Sequence, residues 1–320
     1  MRDRAPLVSI IVNVFNGERY LRECLDSIVA LEGDFSKEVI IIDDASTDGS
    51  AAIIADFVND ETQVILLDKN IGAAAAIGRA TEAVCGEFVA RIDYDDQYRP
   101  DFLTVSLASF ERHPEAAFVC ASAMTMDSDG VPGSRVGPER HGQSPGCRDS
   151  FAGLLRSNFV TAPTLLARTR YWREAHPIPK GMDFCDWYMS LVMAEAAPVV
   201  VLDRVTADYR VHPLGMHLTK VRSGMGERVT REVLHRFLDT GPRAGELAGA
   251  ARAIRAGHAK DWGDKYFAAH LHRDALRCYW ESLRLEPAGI LDLGMMRRIA
   301  GMLIGRNRYE TAKAILGTAR

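Results

Sequence analysis

Two clusters of carboxylates fall where chemistry is usually done. Asp43-Asp44 and Asp93-Tyr94-Asp95-Asp96 each close a strand-like run, Glu38 to Ile42 and Glu87 to Ile92. Three carboxylates within four residues repel one another, and a nearby cation relieves that repulsion. Hard divalent ions such as Mg2+ or Mn2+ take oxygen ligands, and Mg2+ is typically held by one or two carboxylates together with substrate phosphates. The alternative for both clusters is a set of solvated loop acids and helix caps. The Pro100-Asp101 helix start just downstream places the second cluster between a strand end and a helix.

The elements that must position these acids can be read around them. Leu7 to Val14 is a continuous apolar run without clean alternation, which suits a strand buried on both faces. After Asn16-Gly17, residues Tyr20, Leu21, Cys24, Leu25 and Ile28 form a helical stripe. Ser46 or Asp48 can cap a second helix through Ala51, Ile54, Ala55 and Val58. Val64 to Leu67 reads as a third strand, Gly72 to Val84 as an alanine-rich helix and Glu87 to Ile92 as a fourth strand. Four alternations of strand and helix predict an α/β fold with a mostly parallel, doubly wound sheet. In such sheets ligands bind at the carboxyl ends of the strands, where both acidic clusters lie. Neither a G-x-x-x-x-G-K-[ST] loop nor a G-x-G-x-x-G turn after the first strand is present. A metal, rather than a glycine loop, is then expected to handle phosphates, which points to a nucleotide-sugar enzyme.

Composition narrows the class. The chain has 320 residues, 47% hydrophobic and 26% charged, with a formal net charge of −4. That balance is ordinary for a soluble protein and gives no general electrostatic case for nucleic-acid binding. Six scattered cysteines (Cys24, Cys85, Cys120, Cys147, Cys185, Cys278) include no C-x-x-C pair, which argues against a zinc cage or a disulfide scaffold and fits a reducing compartment. The Leu7 to Val14 run is too short for a signal peptide, and the best candidate span, Gly289 to Gly305, contains Asp292, Arg297 and Arg298. A cytoplasmic location is expected.

Three segments together resemble family 2 glycosyltransferases, which have a GT-A fold and invert the anomeric centre. They are VSIIVNVFNGERYLRECLDSI, EVIIIDDASTDGSAAII and GEFVARIDYDDQYRPDFL, the last resembling the family's D-x-D motif. The likeness is close over Val8 to Leu107 and looser to about His212. It implies that Asn13 and Phe15 contact the base and ribose, and that Asp44, or else Asp43, hydrogen-bonds the uracil ring. It implies that Asp95 lies beside the ribose and first phosphate, that Asp96 ligates Mn2+ or Mg2+, and that Asp93 supports the metal shell. Two departures matter: the usual P-x-Y-N reads Asn13-Val14-Phe15-Asn16, and Ile77-Gly78 stand where Arg-Asn or Leu-Asn is common. A diphosphate contact is then left to Arg79 or Arg91.

Further along, Phe118 to Met126 is an expected strand and Asp127 to Gly146 a long loop, while Asn158 to Ala167 resembles the family's strand that lines the acceptor side, with Thr164 on it. Trp187, Leu191 and Ala194 share a helical face. In Cys185-Asp186-Trp187, Asp186 corresponds by resemblance to the catalytic base, with Trp187 on the acceptor side. Asp183 is the fallback base, and a helix-dipole carboxylate is the alternative account of Asp186. His212, in Tyr209-Arg210-Val211-His212, corresponds to a histidine that reaches the metal or diphosphate.

Beyond about Glu227 strand signals vanish. The expected division is a catalytic domain over 1–225 and a helical region over 226–320, with a break near Thr240-Gly241-Pro242. HRDALRCYWESLRLEPAG resembles a tetratricopeptide-like helix with its proline turn, and RNRYETAKAIL echoes it. The helical region is a candidate for homodimerisation, and Arg297, Arg298 and Arg306 for anionic headgroups at the inner membrane face, against a solvated basic face.

The resemblance thus implies single displacement from a UDP- or dTDP-sugar onto a hydroxyl of a glycan or lipid-linked acceptor in bacterial surface polysaccharide or glycolipid synthesis. The rivals are a D-x-D phosphatase and a phosphate-receiver module, both of which want their acids on the first strand, and a degenerate transferase kept as a nucleotide-sugar-binding or assembly protein.

Overall fold

β1 (Leu7–Val14) is buried from Val8 onward, as its unbroken apolar run requires. In this computed structural model, which describes residues 7–182, 185–212 and 221–304, the following elements alternate. They are α1 (Leu21–Val29), β2 (Ser36–Asp43), α2 (Ser50–Phe57), β3 (Thr62–Leu66), α3 (Ala73–Thr81) and β4 (Phe88–Asp93). α1 lays Leu21, Cys24, Leu25 and Ile28 into the core against Val8, Ile10 and Val12 of β1. β1 pairs in parallel with both β2 and β4, and β2 with β3. The order is therefore β3-β2-β1-β4. The chain winds outward from β1 and then returns to its other side, so the β1/β4 gap is a switch point with a crevice at the strands' carboxyl ends.

The rest of the sheet adds short antiparallel pairings to the parallel ones. It comprises β5 (Gln97–Tyr98), α4 (Phe102–Arg112), β6 (Phe118–Met126), β7 (Pro132–Val136), β8 (Gly146–Arg148), α5 (Phe151–Arg156), β9 (Leu166–Arg168), α6 (Thr169–Glu174), α7 (Cys185–Ala196) and β10 (Val199–Arg210). β9 lies antiparallel between β4 and β6, and β10 runs parallel to β6. β5 and β8 are antiparallel on β10, and β7 is antiparallel on β6. Short connections allow antiparallel return, whereas a parallel return needs a crossover of a dozen residues or more.

Two local expectations change. The long loop at 127–146 contains β7 and a 3-10 turn at Pro138–His141, and β8 starts at its end. Pro132 hides β7 from sequence patterning, yet it stands at the first position of the strand, where a missing N–H is tolerated. The strand expected at Asn158 to Ala167 is mostly irregular: Ala162–Thr164 is a 3-10 turn and only Leu166–Arg168 joins the sheet. Pro163 cannot donate to a ladder.

The chain divides into two units, Met1–Pro213 and Leu214–Arg320, ahead of the boundary expected after residue 225. The second unit holds α8 (Met225–His235), a π turn at Arg236–Thr240, α9 (Ala244–Ala268), α10 (His272–Leu285), a 3-10 turn at Pro287–Leu291 and α11 (Leu293–Ile304). Its core is pinned by Glu227, which accepts hydrogen bonds from Arg231, Arg277 and Tyr266. Those partners hold its carboxyl at about 2 against the cost of burial. Arg297 is exposed, whereas Arg298 pairs with Asp264 at 2.8 Å. Arg306 and the RNRYETAKAIL segment lie outside the described residues. No helix among the described residues is long and apolar enough to cross a membrane.

Candidate active site

The crevice at the β1/β4 gap is built strand by strand. Asn13, one residue from the end of β1, stands beside Asp93 of β4 in register. It is buried, and its Oδ1 has no hydrogen-bond partner. Phe15 follows on the surface, 39% exposed. Asn16 takes a left-handed conformation (φ 52°) and is tied to the β2 loop: its N–H donates to Ser46 Oγ and its Oδ1 accepts from Thr47 N. Gly17 is needed for close approach, because a Cβ there would sit 2.7 Å from the Tyr94 ring.

Asp43 ends β2, Asp44 follows it, and both are buried. Asp43 accepts the Ser46 N–H at 3.0 Å. Asp44 Oδ1 accepts from Ile71 N at 2.7 Å and Oδ2 from Gly72 N at 2.9 Å. Gly72 has φ +86°, a conformation glycine adopts without strain. The carboxylate expected at the base therefore also fastens the 71–72 peptide, and each oxygen retains a second lone pair.

The acids at the end of β4 differ in their surroundings. Arg91, an arginine expected at the diphosphate, donates to Asp93 at 2.6 Å and so balances a charge of the cluster. Arg79, the other candidate, pairs with Glu82 on the exposed face of α3. Asp95 Oδ2 lies 3.0 Å from His212 Nε2. Burial and the Asp93 charge raise the Asp95 carboxyl above its ordinary range, and the histidine opposes this. Asp96 is 1% exposed; its Oδ1 accepts the Arg210 N–H, while Oδ2 is buried with no partner. Burial, then Asp95 and Asp93, push its carboxyl well above the ordinary range. A buried carboxylate with one orphaned oxygen, beside like charges, is an environment that a cation stabilises. His212 Nδ1 is likewise buried without a partner. No three ligand atoms of this cluster close within 4.8 Å of one another among the described residues. That suits an ion held by one or two carboxylates with phosphate oxygens completing its shell.

Sequence reasoning assigned no role to Arg210, which ties the cluster together. Its side chain donates to the Asp95 carbonyl, the Asp127 carbonyl and Glu23 Oε2, and lies 4.3 Å from the Tyr20 ring centroid. Its place two residues before His212 was the only local signal.

Asp186 lies in the first turn of α7 and is half-buried. The Tyr209 phenol is raised above the usual range by burial, followed by the charges of Asp96, Asp186, Asp93 and Asp95 in that order. Two residues expected on the acceptor side are sealed inside. Trp187 is buried and donates its indole N–H to the Leu154 carbonyl at 2.9 Å. Thr164 is fully buried, with its hydroxyl within hydrogen-bond distance of the carbonyls of Ala121 and Thr161. The polar group of each is satisfied by backbone. Asp183 lies outside the described residues.

Residues 9–154 match the profile of glycosyl transferase family 2. An uncharacterised protein of Mycobacterium tuberculosis is 30% identical over 213 residues, 65% of this chain and 60% of the relative, so the chain spans less than two thirds of that relative's length. The succinoglycan biosynthesis protein ExoO of Rhizobium meliloti is 33% identical over 101 residues, 32% of this chain and 29% of its own. Among solved structures, residues 1–349 of TarS from S. aureus share the fold, with a TM-score of 0.56 and 17% identity over 88% of this chain and 90% of that one. The mannosyltransferase PcManGT from Pyrobaculum calidifontis, in complex with GDP-Man and Mn2+, does so with a TM-score of 0.53 and 16% identity over 91% and 89%.

Proposed function

We propose that this chain is an inverting, metal-dependent glycosyltransferase that moves a sugar from a UDP- or dTDP-sugar to a hydroxyl group of a glycan or lipid-linked acceptor. The observation that supports the reading best is Asp96 at the carboxyl end of β4, 1% exposed and beside two further carboxylates, with one side-chain oxygen buried and without a partner.

Asn13 and Phe15 hold the base and ribose, with the buried, unpartnered Asn13 Oδ1 available as an acceptor. Asp44 takes the N3–H of uracil or thymine on lone pairs that the 71–72 peptide leaves free. Asp95 sits beside the ribose and first phosphate, steadied by His212. Asp96, with Asp93 and His212 nearby, would hold Mn2+ or Mg2+, which when bound neutralises charge developing on the leaving diphosphate. Asp186 accepts the proton of the acceptor hydroxyl as general base, a role typically worth about 10²–10⁴-fold. One base without a covalent nucleophile gives single displacement and inversion.

Relatives and neighbours support the substrate class. ExoO is named for succinoglycan biosynthesis, and one TarS structure of this fold holds UDP-GlcNAc. A role in bacterial surface polysaccharide or glycolipid synthesis at the cytoplasmic face of the membrane follows, with the second unit as a dimerisation or membrane-contacting surface. The test is a screen of nucleotide sugars for donor hydrolysis with and without Mn2+. Turnover of a UDP-sugar that chelation abolishes supports the reading; no turnover of any nucleotide sugar, with UDP still bound, sinks it in favour of a binding protein.

A further inference from the structure

At the opposite end of the sheet from the crevice, three ligand-bearing side chains meet. His113 ends α4, Glu115 follows in the turn that enters β6, and Cys147 lies in β8, paired with Val200 near the start of β10. The Ala116 N–H donates to the His113 carbonyl at 3.1 Å, closing the turn that sets the first two residues side by side. Glu115 Oε1 lies 3.6 Å from His113 Nδ1 and 3.3 Å from Cys147 Sγ. All three ligand atoms fall within 4.8 Å of one another. Cys147 is a free thiol, half-buried beside the core, while Glu115 is exposed and His113 partly so.

We propose that His113, Glu115 and Cys147 form a binding site for a zinc-type divalent ion, with water in the fourth position. Bonds of about 2.1 Å to nitrogen and oxygen and about 2.3 Å to sulfur, at tetrahedral angles, set ligand atoms about 3.4–3.6 Å apart. The two measured separations already straddle that spacing, so small side-chain rotations complete the site. One nitrogen, one oxygen and one sulfur select a borderline ion; Mg2+ and Mn2+ prefer carboxylate, carbonyl and water. On binding, the Cys147 thiol proton passes to solvent and the thiolate sulfur coordinates the ion. The ion is structural: it clasps the segment that returns from β6 through β7 and β8 onto the α4–β6 turn. It is separate from any ion at Asp96, which lies beyond the carboxyl end of β4.

The experiment uses the full chain, reduced and stripped of metal, titrated with Co2+. One equivalent should raise a thiolate-to-cobalt charge-transfer band that is lost in Cys147→Ser and in His113→Ala and kept in Asp96→Asn. Zn2+ should raise the thermal midpoint of the parent and leave that of Cys147→Ser unmoved. Should a variant fail to fold, alkylation of the parent mapped by mass spectrometry decides: Zn2+ protects Cys147 if the site is real. Absence of the band in the parent, its survival in either site variant, or unprotected Cys147 overturns the proposal.

Discussion

The main-chain N–H of Arg210 donates to Oδ1 of Asp96 at 2.9 Å, and the guanidinium of the same residue donates to the Asp95 carbonyl at 3.0 Å. The end of β10 thus fixes two consecutive residues of the acidic cluster, one by its carboxylate and one by its backbone. The side chain also reaches Glu23 and Asp127, so one buried arginine joins α1, the β4 end and the β6–β7 turn. Arg210→Ala keeps the backbone bond to Asp96 but leaves the cluster without its guanidinium. The expected loss is about 3 kcal/mol of stability, the scale of breaking a buried charge network, read as a lower urea midpoint. An unchanged midpoint would show that the network is dispensable.

Asp96→Asn removes the charge beside the orphaned oxygen and relieves the repulsion within the cluster. The expected outcome is loss of Mn2+-dependent donor binding by calorimetry, with thermal stability equal to or above that of the parent. Turnover that persists in EDTA would end the metal-dependent mechanism.

Asp186→Asn separates catalysis from binding. Its volume is nearly unchanged, so UDP and metal affinity should stay near those of the parent while transfer falls by about two or more orders of magnitude. Asp183→Asn should do much less. The reverse pattern would move the base to Asp183.

Asp44→Asn puts an amide NH2 where a carboxylate oxygen now accepts a backbone N–H. Leaving one such donor unpaired should cost about 1–3 kcal/mol. Because the same group is assigned to the N3–H of the base, UDP and dTDP should compete with donor better than ADP in the parent, and the Asn variant should lose that preference. Stronger protection of the parent by ADP than by UDP in a thermal-shift assay refutes the assignment.

His176 gives a pH dependence remote from the crevice. Its ring packs on Trp172, faces Thr81 Oγ1 and lowers its pKa from 6.5 to about 4 through burial. The unfolded chain then binds more protons than the folded one between these values. Stability is full above about pH 6.5 and falls as the pH drops towards 4, by about 2 kcal/mol once solvent reaching the ring is allowed for. In His176→Gln, urea midpoints between pH 4 and 7 should lose this part of the slope; a slope identical to the parent's would assign it elsewhere.

The parallel half of the sheet was legible because β1, β2 and β4 are buried on both faces, which forces continuous apolar runs, and because their acids stop those runs abruptly. β7 was not, since Pro132 mimics loop chemistry whether or not a strand lies alongside, and the strand around β9 was expected too long because its apolar run continues through the turn at Pro163. Trp187 and Thr164 mark another limit. An aromatic after an aspartate and a threonine after a proline look the same facing a ligand or facing the interior, and only the Leu154 and Ala121 carbonyls tell which. Arg210 was invisible for a different reason, because its partners are scattered along the whole first unit.

That scatter sets a timetable for synthesis. Glu23 precedes Arg210 by 187 residues and Asp96 precedes it by 114. A ribosome adding about 5–20 residues per second delivers β10 on the order of ten seconds after the acidic cluster. During that interval β6 lacks its parallel neighbour and the cluster lacks the guanidinium of Arg210. The nascent first half can form its β3-β2-β1-β4 ladder, but the crevice is assembled only when the last strand of the sheet arrives.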